Sequence, residues 1–268
     1  MLWDTHMHTS FSGDSEAAPE AMVEAAAGRG LEGICITDHE DLDYTPEPGL
    51  FTLPLEAYTK KLRKLQAAYE DRIPVCIGIE LGLQPHLADT HTKILQDYAF
   101  DFVIGSSHLV HGMDPWYPEF YEGRAETEAY TEYFESIPEN INAFDDFDVY
   151  GHLDYVVRYG PNRNAFYSYE KYAEIIDAIL QLLIQKGKGI EVNTAGFKYG
   201  LGHPNPTERI LMRYRELGGE ILTIGADAHA PDQIAHSFYL LPDLLRSCGF
   251  SEYTVFKNRK PEFKKLPD

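Results

Sequence analysis

The run Asp4-Thr5-His6-Met7-His8 sets two histidines two residues apart, with an acid two residues before the first. In a strand, side chains alternate between faces, so His6 and His8 point the same way and Asp4 can join or support them. Two imidazoles on one face of a strand end make half of a first-row transition-metal site. Taken alone, an isolated His-x-His is better explained as two exposed or locally bonded histidines. The choice therefore depends on how the later strands end.

Reading outward, an Ala-rich helix starts near Pro19 and is stopped by Gly28 and Gly30. A buried strand over 33–37 then ends in Asp38-His39. Tyr58, Leu62, Leu65 and Tyr69 recur at helical spacing and predict an amphipathic helix over 56–71. The apolar strand at 74–79 ends at Glu80, a helix spans 87–98, and a strand over 101–105 runs into Ser106-Ser107-His108. A helix is expected at 124–137, then a strand near 147–151 ending in Gly151-His152-Leu153-Asp154. The stripe of Tyr172, Ile175, Ile176, Ile179, Leu182 and Leu183 marks the strongest helix, closed by Gly187 and Gly189. A strand over 189–192 continues into Asn193-Thr194, and a helix over 207–217 leads to a seventh strand at 220–224. That strand ends in Gly225-Ala226-Asp227-Ala228-His229; a last helix over 232–247 and a basic tail are expected after it.

Seven short apolar strands with helices in most of the intervals read as parallel βα units covered on both faces, which a barrel achieves. The active groups of such barrels sit at the C-terminal strand ends. His6, Asp38-His39, Glu80, His108, His152, Asp227 and His229 all fall there. Shared chemistry at six strand ends outweighs the bland explanation of any one of them, and predicts a metal cluster.

The chain of 268 residues has 44% hydrophobic content, enough for one large core, and no linker divides it, so 1–268 is expected to form one domain. No apolar run approaches the 18 or so residues of a membrane span, and no signal-peptide pattern is recognisable. Cys35, Cys76 and Cys248 are too few for a disulfide framework, and the first two lie in buried strands. A cytoplasmic location is expected. The net charge of −20 repels nucleic acid and other polyanions, so an anionic substrate requires a pocket in which metals or arginines reverse the field.

The ordered set Asp4-Thr5-His6-Met7-His8, Thr37-Asp38-His39, Gly78-Ile79-Glu80, Ser107-His108, Gly151-His152 and Asp227-Ala228-His229 resembles the polymerase-and-histidinol-phosphatase (PHP) superfamily over essentially the whole chain. Gly151-His152-Leu153-Asp154 and Glu191-Val192-Asn193-Thr194-Ala195-Gly196 are similar to its histidinol-phosphatase group. The resemblance implies a distorted (β/α)7 barrel holding two to three divalent transition metals, Zn, Fe or Mn. It implies a first site from His6, His8, Glu80 and Asp227, and a second bridged by Glu80 and completed by His108 and His152. A third would comprise Asp14, His39 and His229, although Asp14 in its polar loop is equally readable as a helix cap. Asp38 and Asp4 are expected to orient histidine ligands from behind. Arg158 is the preferred phosphate contact, with Lys198 and Arg163 as further cations. His86 and His91 are expected to face solvent, and His111 to lie near the pocket or bond locally.

The reaction so implied is hydrolysis of a phosphate monoester, with in-line attack by hydroxide generated between two metals. L-histidinol phosphate is the expected substrate. An acidic background suits its ammonium group, and Tyr155, Tyr159 and Tyr167 are candidates to stack on its imidazole. The alternatives are another small phosphorylated metabolite, such as a nucleotide or a phosphotyrosine-type ester, and a non-catalytic metal-binding module.

Overall fold

The computed structural model describes residues 2–267. Its strands are β1 (Trp3–Asp4), β2 (Gly33–Ile36), β3 (His39–Glu40), β4 (Val75–Gly82), β5 (Phe102–Ser106), β6 (Val149–Tyr150), β7 (Gly189–Asn193) and β8 (Leu222–Gly225). They pair in parallel in the order β1-β2-β4-β5-β6-β7-β8. The ring closes through the backbone. Thr5 N–H donates to the Ile224 carbonyl at 2.9 Å, Asp227 N–H to His6 at 2.9 Å, and His8 N–H to Ala228 at 2.8 Å. The expected seven-stranded parallel barrel is the one observed.

Every residue of these strands is buried, as a parallel sheet covered on both faces demands. The covering helices include α1 (Pro19–Gly28), α2 (Leu55–Tyr69), α3 (Ala88–Asp97), α4 (Glu126–Ala143) and α5 (Ala173–Gln185). After β7 come α6 (Ala195–Lys198), α7 (Glu208–Glu216) and α8 (Leu241–Ser247). Helix α5 turns Ile176, Ile179, Leu180 and Leu183 inward, close to the stripe read from sequence. A single cluster of buried apolar residues runs from Leu2 to Leu266.

β3 follows β2 after a two-residue break at 37–38 and pairs with β4 in the same register, so that His39 lies opposite Glu80. Two candidate ligands become neighbours through register alone.

The C-terminal region departs from expectation. In place of one helix over 232–247 there are two short 3-10 turns and then α8. Ala235 and Ser237 adopt left-handed φ angles of 52° and 60°, which no α-helix accommodates. Asp4 Oδ2 takes the Ala235 N–H at 2.9 Å, a long-range bond that no local pattern announces. The basic tail is a hairpin of β9 (Glu252–Lys257) and β10 (Lys260–Lys265). Its two-residue turn at Asn258-Arg259 has positive φ at both positions, as a type I′ turn requires. Lysines obscured a strand whose Tyr253, Thr254, Val255 and Phe256 are all buried.

Candidate metal centre

Strand alternation does at β1 what the sequence implied: His6 and His8 extend beyond Asp4 on one face, their Nε2 atoms 3.1 Å apart. Glu80, near the end of β4, meets both. Its Oε2 lies 3.2 Å from His6 Nε2, 3.6 Å from His8 Nε2 and 3.1 Å from His39 Nδ1. Its Oε1 lies 3.0 Å from His152 Nε2 and 3.4 Å from His108 Nε2, and accepts the Ser106 hydroxyl at 2.7 Å. One fully buried carboxylate thus turns one oxygen to His6, His8 and His39 and the other to His108 and His152. Asp227 Oδ1 completes the first group, 3.5 Å from His8 Nε2 and 3.9 Å from His6 Nε2.

On the other side of His8, the rings of His39 and His229 stack on it at 4.1 and 4.3 Å. Asp14 Oδ2 is 2.9 Å from His229 Nε2 and 3.7 Å from His39 Nε2. Asp14 does not cap α1, whose N-cap is Ala18 and carries no side-chain bond. Ser15 fastens the loop instead, donating to the His229 carbonyl at 2.8 Å.

Imidazole nitrogens packed this closely repel one another once protonated, and burial penalises every charge among them. His8 shows this: burial, then His39 and His229, push its pKa well below normal. Burial would raise the Glu80 carboxyl, yet His6, His108 and His39 hold it well below the usual range. Burial likewise opposes ionisation of Asp227, while Arg158 and His6 keep it ionised. Buried carboxylates interleaved with converging imidazole nitrogens form groups that could hold a metal ion. The residues present fit divalent transition metals.

Two supporting carboxylates carried no expected role. Asp41 Oδ2 sits 2.8 Å from His108 Nδ1, and Glu191 Oε1 sits 2.7 Å from His6 Nδ1. Glu191 stands within a motif quoted above, and its inward strand position was the available signal. The expected supports act differently. Asp38 touches no imidazole; it accepts from Thr9 N–H at 2.6 Å, Thr9 Oγ1 at 2.8 Å and Ser12 Oγ at 2.7 Å, steadying the loop after β1. Asp4 accepts from Ala226 N–H at 3.0 Å as well as from Ala235, tying β1 to the segment after β8. Burial raises its pKa to about 6.

The cations also sit differently. Arg158 is 3% exposed and lines the cavity above the cluster. Its guanidinium donates to Asp227 Oδ2 at 2.8 Å, Asn205 Oδ1 at 2.9 Å and Asn193 Oδ1 at 3.0 Å. Lys198 Nζ donates to the Asp227 carbonyl and Gln233 Oε1, both at 3.1 Å, and is not part of the cavity wall. Arg163 donates to the Tyr199 carbonyl at 3.0 Å. His91 corrects an expectation: it is fully buried in α3 against Phe144, with ring centroids 5.4 Å apart. His86 is exposed as expected and pairs with Asp43 at 3.1 Å. His111 bonds Glu132 at 3.0 Å and Glu139 at 3.2 Å, outside the cavity.

The cavity encloses about 190 Å³. Its floor is His39, His108, His152, Asp227 and His229, and its upper wall is aromatic: Tyr44, Phe51, Trp116, Tyr117, Tyr155, Tyr159 and Tyr199. Asp41 and Asp114 interrupt that wall with acid. Tyr155 and Tyr159 are where stacking was expected, whereas Tyr167 points elsewhere, donating to Asp154 at 3.2 Å.

Residues 4–195 match the PHP domain family. The chain belongs to the PHP family. Among PHP proteins it is similar to the histidinol-phosphatase of Lactococcus lactis, at 33% identity over 96% of this chain and 95% of that one. A Clostridium acetobutylicum relative described as a probable histidinol-phosphatase is 31% identical over 93% of this chain and 94% of its own. The crystal structure of the Lactococcus lactis histidinol phosphate phosphatase, complexed with zinc, L-histidinol and phosphate, superposes with a TM-score of 0.89 at 32% identity. It covers 97% of this chain and 98% of that one. The PHP barrel expected from the motifs is thereby established.

Proposed function

We propose that this PHP chain is a metal-dependent phosphatase that hydrolyses L-histidinol phosphate to L-histidinol and phosphate. The observation that carries the reading is Glu80, whose Oε2 faces His6, His8 and His39 and whose Oε1 faces His108 and His152, with His39, His108 and His152 lining the cavity. Similarity across nearly the full length to a phosphatase crystallised with zinc, L-histidinol and phosphate supports the choice of substrate.

In this reading His6, His8, Glu80 and Asp227 hold one metal, Glu80, His108 and His152 a second, and Asp14, His39 and His229 a third. Zinc suits the mixed imidazole and carboxylate donors, as do iron and manganese. Bound there, such cations would lower the pKa of a water and neutralise phosphate oxygens. Arg158, at the cavity wall, keeps N–H groups beyond the three it spends on Asp227, Asn193 and Asn205, and these are available to a phosphate oxygen. Asp41 keeps the proton of His108 on Nδ1, leaving Nε2 free as a donor atom. The aromatic wall excludes water and offers ring faces to an imidazole. Asp114, buried in that wall and held by the Tyr44 hydroxyl at 2.7 Å, supplies negative charge where an ammonium group would sit. Arg158 and the metals reverse the net −20 field only at the floor, which suits a substrate anionic at one end and cationic at the other.

Comparing kcat/KM for histidinol phosphate, a nucleotide monophosphate and phosphotyrosine on one metal-loaded preparation tests the assignment. Histidinol phosphate should be preferred. A competitor that matches it would replace the assignment with a broader PHP phosphoesterase.

A further inference from the structure

We infer that Glu191 is a shared brace of the first two metal sites, holding one ligand of each with a single carboxylate; this rests on the metal-centre reading above. Glu191 lies in β7 with its side chain fully buried. Oε1 stands 2.7 Å from Nδ1 of His6, whose Nε2 faces His8 and Glu80. Oε2 accepts the backbone N–H of His152 at 3.0 Å and the Asn193 side-chain amide at 3.0 Å. The same His152 turns its Nε2 to Glu80 Oε1, in the second group.

The two contacts do different things. At His6 the carboxylate keeps the ring proton on Nδ1 and so leaves the Nε2 lone pair for a cation. At His152 it fixes the main chain. The His152 Nδ1 has no hydrogen-bond partner among the described residues, so this residue is held by Glu80 at Nε2 and by Glu191 at its backbone N–H. Packing shows that the space is shaped for this pair. A Cβ at Gly225 would fall 2.2 Å from Glu191 Oε1 and 2.4 Å from His6 Cβ.

Glutamine cannot replace the brace. An amide has one acceptor oxygen and one donor nitrogen. With its oxygen toward His152, its N–H forces the His6 proton onto Nε2, where the metal should bind. With its oxygen toward His6, its N–H confronts the His152 N–H. Aspartate keeps the charge but is one methylene too short to reach both partners.

The test is zinc binding by the parent, Glu191→Gln and Glu191→Asp proteins across a chelator-buffered zinc series. Zinc per chain is read by elemental analysis, and the fold of each stripped protein by circular dichroism. Both variants should bind zinc about tenfold to a hundredfold more weakly at two sites together. Parent-like binding by Glu191→Gln, or weakening confined to one site, overturns the brace. Parent-like binding by Glu191→Asp overturns it too, because charge without span would then suffice. If Glu191→Gln does not fold, Glu191→Asp decides alone. A parent protein that takes up no zinc would remove the metal-centre reading itself, an outcome distinct from the others.

Discussion

Arg158 Nη1 donates to Oδ2 of Asp227 at 2.8 Å, which leaves Oδ1 as the oxygen turned toward His8 and His6. The arginine therefore selects which lone pairs of Asp227 reach the imidazole cluster. Asn193 and Asn205 hold the guanidinium in that pose from its other edges. A residue chosen as a phosphate contact is thus also built into the wall of the candidate metal site.

Arg158→Ala should lower kcat/KM for histidinol phosphate by roughly tenfold to a thousandfold and should also reduce zinc retained per chain. Lysine cannot copy the three-point grasp, so Arg158→Lys should share much of the defect. Steady-state kinetics and elemental analysis on the same samples check this. A rise in KM with full zinc content would mean that Arg158 serves the phosphate alone.

Glu80→Gln should remove zinc from two sites at once and lower turnover by at least about two orders of magnitude, with the barrel still folded. Each carboxylate oxygen meets its own set of imidazoles, and an amide supplies only one acceptor. Near-normal turnover and zinc content in this variant would remove the bridging role.

Asp14→Ala distinguishes a ligand from a loop residue. Asp14 faces His229 and His39 and caps no helix, so the variant should lose about one zinc per chain and keep the thermal stability of the stripped protein. Loss of stability with unchanged zinc content would assign it a structural role instead.

Buried His91 gives a prediction for acid stability. Burial lowers its pKa from 6.5 to about 4, so between those values the unfolded chain binds the proton that the folded chain refuses. The folded state is unpenalised above pH 6.5 and loses up to about 3 kcal/mol as pH falls toward 4. His91→Leu should flatten that limb of the stability curve. Urea denaturation at pH 7 and pH 4.5 checks it; an unchanged difference between parent and variant would show that His91 does not drive the slope.

Local pattern was sufficient for the barrel and for most of the cluster. Period-two alternation put His6 and His8 on one face, and apolar runs ending in His, Asp or Glu marked the C-terminal rim. These features depend on neighbours along the chain, so sequence alone determined them. What tertiary structure decided were the contacts made across the barrel. Asp4 reaching Ala235 breaks the last helix at a distance of 231 residues, and Arg158 reaching Asp227 spans 69. Glu191 on β7 meets His6 past the closure of β8 on β1, 185 residues away in sequence, and Asp41 backs His108 from another loop. Sequence alone reads His91 as solvent-facing, and Phe144, 53 positions away, is what packs against it. A buried polar group takes whatever partner the closed fold brings within about 3 Å, and sequence separation places no limit on which residue that is.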